Sequence, residues 1–414
     1  MRIDPRQFQV RRDQQLRDEV MGDFGVKKAL QRIRELRGGK GYGYRRNLLS
    51  STLRLTRSMS PEIADTVAEC KDMIGYDAPV EVYVTPEHQF NATCYREVKG
   101  PTVLTVSSRL LEAFTPAELR FVIGHELGHA AFDHYGLPMP ITATLEELGI
   151  PFVSRPTSLR LYAWCRSAEL SADRIGLLCA RDPEAAASGF FKLASGMASE
   201  RVRPDLATFA RQVESLASAP EAREKEYDED TLDCFSTHPY NPVRVRAVWA
   251  FSRSEPYLKA LGKATDAAWA LDDVEALVER DLQLMEPSYL EEKSQVSDTL
   301  RRLLYTAGIA VAAASGGVEQ TELEALGRLL GTDHADLPRD VAKIVADLDG
   351  RIKAALEVPL KHRAQLVQHL TIVAAADGSV SDEELHVMED IARRLDVGAQ
   401  VVHQTIRGAM HPID

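Results

Sequence analysis

The chain has 414 residues, enough for two or three domains, and its 44% hydrophobic and 27% charged content is that of an ordinary globular protein. No apolar run approaches the roughly 18 residues of a membrane span, and the leading "MRIDPRQFQVRRDQQLRDEV" carries charges where a signal peptide needs its apolar core, so the expected location is cytoplasmic. Five scattered cysteines without a CxxC pair argue against a disulfide framework or a cysteine zinc site and fit free thiols.

The net charge of −12 is unevenly spread: residues 1–58 hold 15 Lys/Arg against 6 Asp/Glu, leaving the rest strongly acidic. This basic leader is expected to be a solvated helical extension. Its charge would also allow contact with an anionic membrane, with the acidic body of the chain or, least favoured, with nucleic acid. The phrase "RELRGGKGYGYRR" is a glycine-rich hinge, because a phosphate loop would end in GK[ST] after a strand.

From Ser60, "SPEIADTVAECKDMIG" predicts a helix with a serine cap and proline at its first position. Val80–Thr85 and Thr102–Ser108 are the strand candidates, short and rich in Val and Thr. Thr115-Pro116-Ala117-Glu118 then opens a helix with a capping box. Helical patterns dominate beyond it, broken by the polar, acidic stretch Ala217–Asp233, read as a loop. The expected divisions are a basic helical extension over 1–59, a first domain over 60–255, a helical connector over 256–294 and a helical domain over 295–414.

The chemistry concentrates in "FVIGHELGHAAFDH". His125 and His129 lie one helical turn apart, so both imidazoles can meet one metal ion, and Glu126 beside them can serve as a general base. A chain of this composition supplies roughly 0.04 such HExxH patterns by chance. A zinc site of this type needs a third protein ligand and an open position. His134 is read as a helix-end histidine that suits the negative end of the dipole. Glu169 in "RSAELSADRIG" is the better third ligand, and Asp173 one turn later can hydrogen-bond a ligating histidine. The helix carrying them has Trp164, Leu170, Ile175 and Leu178, so unpaired carboxylates there would be costly. His238, in "STHPYNPVRVR", could donate to an oxyanion or equally serve as a cap or turn. Cys94 and Cys234 are near these motifs in sequence, and a thiolate there could hold an open zinc position latent, although buried free cysteines are the commoner case.

HELGH followed by ELSAD and then THP-x4-R resembles the zinc metallopeptidases that include HtpX and the CAAX prenyl protease, a gluzincin family. "NATCY" is similar to the asparagine–alanine pair these enzymes carry before the strand at the cleft, and the resemblance spans about residues 60–250. It implies an α+β, mostly helical fold, a zincin-type peptidase domain with a small β-sheet. It further implies one zinc ion on His125, His129 and Glu169, Glu126 as base, Asp173 behind the ligands, His238 at the oxyanion and Arg244 bracing the site. Asn91, Ala92, Val103 and Thr105 are the expected substrate contacts, with the strand at 102–108 pairing an extended protein or peptide substrate. The membrane helices of the best-known members are absent from this sequence, which puts a membrane or prenylated substrate in doubt.

Near the C-terminus, "AASGGVEQTELEALGRLLG" from Ala313 recurs as "AADGSVSDEELHVMEDIAR" from Ala375, an offset of 62 residues. Ser381 and Glu384 fit a capping box. The repeat resembles all-helical TerB-like domains over about 295–410, implying a regulatory or partner-binding role, or an autoinhibitory contact. It lacks EF-hand spacing, and Asp377, Asp382, Glu383 and Glu384 are read as charges favouring a helix N-terminus. A latent or inactive scaffold is the rival to an active endopeptidase.

Overall fold

The computed structural model describes residues 2–37, 48–96, 100–137, 155–199, 205–218, 236–263, 265–285, 295–316, 340–374 and 380–410, with scattered positions from 318 to 330. The glycine hinge, most of the acidic stretch with Cys234, and Asp377 lie outside the described residues. The chain divides into two compact units, one of residues 1–138, 164–218 and 237–282, the other of 139–163, 219–236 and 283–414.

In the first unit the leader is not a solvated extension. A short 3-10 turn at Pro5–Phe8 precedes α1 (Arg11–Gly22) and α2 (Phe24–Arg37). Phe8, Val10 and Val20 are buried, and the Phe8 ring meets Phe251 edge-on at 6.2 Å. Burying side chains of this size stabilises by about 2 kcal/mol each. The backbone is tied down as well: Ile3 N–H donates to Met73 O at 2.7 Å, Val10 N–H to Ser171 Oγ at 3.0 Å, and Arg11 N–H to Glu275 Oε2 at 3.1 Å. The leader's positive charge meets acidic partners on the body, Arg11 pairing with Asp272 and Arg12 with Glu279. Apolar anchors and complementary charge together outweigh solvation of the basic segment.

Strand β1 (Leu53–Leu55) leads to α3 (Pro61–Ile74), where Pro61 holds the first position but Ser60 makes no capping hydrogen bond. The sheet is completed by β2 (Val80–Thr85), β3 (Ala92–Arg96) and β4 (Thr102–Ser107) in the order β1-β2-β4-β3. β2 and β4 are parallel, with Val82 opposite Leu104, and the outer pairs are antiparallel. β4 is therefore central and nearly all buried. Alternation sends Leu104 and Val106 into the main core and Val103 into a smaller cluster with Leu48 and Tyr83 on the other face.

The short α4 (Ser108–Ala113) leads into α5 (Pro116–Ala131), whose start has the expected capping box between Thr115 and Glu118. Glu118 is held further by Lys192 Nζ at 2.6 Å and by Ser188. α5 is buried from Phe121 to Ala130, a core helix rather than an amphipathic surface one. It crosses α6 (Arg155–Ala180) at very short range: a Cβ on Gly124 would stand 2.6 Å from Cys179 Cβ, and one on Gly176 would stand 2.7 Å from Phe121 O. Helices α7 (Pro183–Ser195), α8 (Leu206–Ser218), α9 (Asn241–Phe251), α10 (Glu255–Ala260) and α11 (Leu271–Leu282) complete the unit.

The second unit contains α12 (Gln295–Ala312), α13 (Val341–Ala346), α14 (Leu348–Ala355), α15 (Leu360–Ala374), α16 (Asp382–Arg394) and α17 (Gln400–Met410). Leu304, Leu370, Met388, Ile391 and Val401 form its core. Ser381 and Glu384 make the expected capping box at the start of α16. Among the described residues the fold is thus α+β and mostly helical, with one small sheet and an all-helical C-terminal unit.

Candidate metal centre

Three buried donors converge where α5 crosses α6. His125 Nε2 and His129 Nε2 are 3.2 Å apart, and Glu169 offers Oε2 to the first at 3.6 Å and Oε1 to the second at 3.3 Å. One ligand atom from each residue lies within 4.8 Å of the other two. The residues are only 7% to 9% exposed, so two nitrogen lone pairs and a carboxylate oxygen face one point with little water to satisfy them. A dication fits this donor set: two imidazoles and one carboxylate with a further position open are the ligands of catalytic zinc.

The glycines set this geometry. Because Gly124 and Gly176 let the helix backbones nearly touch, Glu169, seven residues before Gly176 on α6, comes within reach of both histidines of α5.

Behind the donors stand groups that orient them. Asp173 Oδ1 is 2.8 Å from His125 Nδ1, which places that nitrogen's proton on the carboxylate side and leaves Nε2 free to ligate. Arg244, on α9, holds Asp173 with two hydrogen bonds at 2.7 and 2.9 Å, reaches Glu169 Oε2 at 3.1 Å, and stacks 4.9 Å above the Phe190 ring. Burial alone would raise Glu169 and Asp173, yet Arg244 with the neighbouring histidines outweighs it and holds both carboxyls below their ordinary range. Among the described residues Glu126 has no ion pair of this kind; burial, followed by the charge of Glu169, pushes its carboxyl up to about 8 even though His129 and the more distant charge of Arg244 pull it the other way. His238 approaches from the loop before α9, its Nε2 3.5 Å from Glu169 Oε1 and its side chain 61% exposed, on the open side of the site.

The substrate contacts divide. Asn91 is exposed, its carbonyl accepting from Ser107 N–H at 2.9 Å and its N–H donating to Ser107 Oγ at 3.1 Å, and Ala92 opens β3 on the face shared with α5. Val103 and Thr105 are misplaced as contacts. Both sit on β4, already paired on each side, so its backbone cannot accept another strand. By alternation their side chains point away from the face that packs against α5, Val103 into the Leu48–Tyr83 cluster and Thr105 onto Thr93 Oγ1 at 2.6 Å. Among the described residues β3 is paired only with β4, and it is the strand next to α5.

His134 follows the end of α5 and stands outside the group of metal donors, as its position predicts, but it is buried, only 2% exposed, against partners that the helix end does not announce. Asp133 adopts a left-handed conformation, φ 55°, which turns the chain beneath α5. His134 Nδ1 then lies 2.8 Å from His129 Nδ1, and His134 Nε2 lies 3.2 Å from Asp13 Oδ2. Burial raises Asp13, but hydrogen bonds from His134, Ser171 and Gln9 outweigh it and hold the carboxyl below its ordinary value. Nothing in the local sequence pattern flags Asp13, which sits among arginines 121 residues before its histidine partner. Cys94 is buried in β3, where burial and the nearby Glu126 hold its thiol well above the ordinary range, which disfavours the thiolate a latent ligand would need.

Residues 58–251 match peptidase family M48, the region holding every residue of this site except Asp13. The chain carries an M48 peptidase domain. Residues 301–405 match the tellurite resistance protein TerB, so a TerB domain follows the M48 domain. Over 221 residues the chain is 28% identical to the plastoglobule-localized metallopeptidase 48 of Arabidopsis thaliana chloroplasts, covering 52% of this chain and 64% of that one. Over 69 residues it is 42% identical to protease HtpX of Alcanivorax borkumensis and 41% identical to protease HtpX of Acinetobacter baumannii strain AYE, in each case 17% of this chain and 23% of the relative. The matches thus span less than two thirds of each relative's length. No helix among the described residues is long and apolar enough to cross a membrane.

Proposed function

We propose that this protein is a zinc-dependent endopeptidase acting on protein or peptide substrates, with its TerB domain serving regulation or partner binding. The observation that carries the reading is the convergence of His125, His129 and Glu169 on one point, with Glu126 on the same helix turn. When bound there, zinc would supply Lewis acidity toward a carbonyl and lower the pKa of a water.

The chain's own groups do the rest. Glu126, whose buried carboxylate attracts protons strongly, takes the proton of the attacking water and passes it to the leaving amine. His238, on the open side, donates to the carbonyl oxygen as negative charge develops. Arg244 touches no substrate in this scheme; it positions Asp173 and Glu169 and balances their charge. An extended substrate is taken along the outer edge of β3, beside Asn91 and Ala92, through backbone hydrogen bonds that impose little sequence preference.

Cleavage of casein by zinc-loaded protein, compared with Glu126→Gln, tests the reading. Wild-type cleavage with at least a hundredfold loss in the variant supports it. Equal silence from both, with zinc bound, would favour a latent or inactive scaffold.

A further inference from the structure

The leader reaches the back of the metal centre through one carboxylate. Asp13 is fully buried and accepts four hydrogen bonds: Trp164 Nε1 at 2.9 Å on Oδ1, and Gln9 Nε2 at 2.9 Å, Ser171 Oγ at 2.7 Å and His134 Nε2 at 3.2 Å on Oδ2. A buried carboxylate so completely satisfied has a defined orientation, and three of its four donors come from elements that surround the site.

We propose that Asp13 is a positioning residue for zinc, acting through His134 on the ligand His129. The inference rests on the metal reading above. Its logic is one of tautomers. Nε2 of His129 faces Glu169 and His125, so this nitrogen must offer its lone pair, and the ring proton then belongs on Nδ1. That Nδ1–H donates to His134 Nδ1 at 2.8 Å, which must accept and therefore carries its own proton on Nε2. His134 Nε2–H donates in turn to Asp13. Each donor has one acceptor, and the chain ends on a carboxylate, which accepts only. His125 receives the same service directly from Asp173. The two ligating histidines are thus held by equivalent devices, one with a carboxylate in contact and one with a carboxylate relayed through a second imidazole. The relay works because the left-handed Asp133 turns His134 under His129 and because residues 5–13 are packed into the unit. Asp13 lies outside the stretch shared with family M48.

The test measures the zinc dissociation constant by competition with a chromophoric chelator, on full-length wild type, Asp13→Asn, His134→Gln and the double variant. Outer partners of this kind weigh roughly 10- to 100-fold in metal affinity. The expected result is a loss of that size in each single variant and no further loss in the double variant, since both break one chain. Thermal midpoints of the metal-free proteins accompany the titrations, and a variant that unfolds is replaced by Asp13→Glu, expected to retain more affinity than His134→Gln. Wild-type affinity in folded Asp13→Asn overturns the inference and leaves the metal reading standing, as do multiplicative losses in the double variant. A wild-type chain that holds no zinc overturns both.

Discussion

Glu126 makes the metal-free protein respond to pH in a way that one substitution removes. Its carboxyl is raised from 4.5 to about 8, so between these values the folded state binds a proton that the unfolded chain has released. Folding stability therefore falls as pH rises through this window; the contribution is fully present below about pH 4.5 and lost above about pH 8. At about 1.36 kcal/mol per unit, the whole shift is worth about 5 kcal/mol, of which about 2.5 kcal/mol falls between pH 5 and 7. In Glu126→Gln this proton is gone, so the variant should overtake wild type by that amount across the interval. All three tryptophans, Trp164, Trp249 and Trp269, lie in the first unit, so urea unfolding followed by their fluorescence reports on it alone. The proteins must be stripped of metal, since a cation beside Glu126 would lower its carboxyl again. Stability curves that run parallel from pH 5 to 8 would refute the argument that burial without a partner governs this group.

Two further outcomes follow from the packing of the same site. Arg244→Met leaves Asp173 and Glu169 buried without their counter-charge and should cost the metal-free protein about 3 to 5 kcal/mol, read from the urea midpoint; a loss under about 1 kcal/mol would show that Arg244 is not their main support. Gly124→Ala drives a methyl against Cys179 and should destabilise by about 1 to 3 kcal/mol and weaken zinc binding, whereas Gly22→Ala, with open space around it, should be near neutral in thermal unfolding.

Much of the centre was legible because its logic is local. His125, Glu126 and His129 share one helix turn, Glu169 and Asp173 share another, and the capping boxes at Thr115 and Ser381 mark helix starts by residue type alone. What was not legible depends on contacts between distant segments. The two best strands are where their Val and Thr content places them, yet pattern alone does not say that β3 crosses to the far edge and leaves β4 in the middle, and that order decides which strand can receive a peptide. The leader's positive charge suggested solvent. Its attachment depends on Phe8, Val10 and Asp13, three residues in a basic run whose partners lie 100 or more positions away. The position of His134 after a helix does not disclose what it faces, which a single left-handed residue, Asp133, decides.

That same attachment sets where the protein can be divided. Similarity draws the edge of the peptidase at residue 58, but hydrogen bonds draw it at the first turn of the chain. A polypeptide begun at residue 58 would lose Phe8 from the main core, strand Glu275 and Arg174 without their backbone partners, and leave the imidazole behind His129 facing an empty socket. The smallest piece that keeps the centre intact is therefore longer than the piece that kinship recognises.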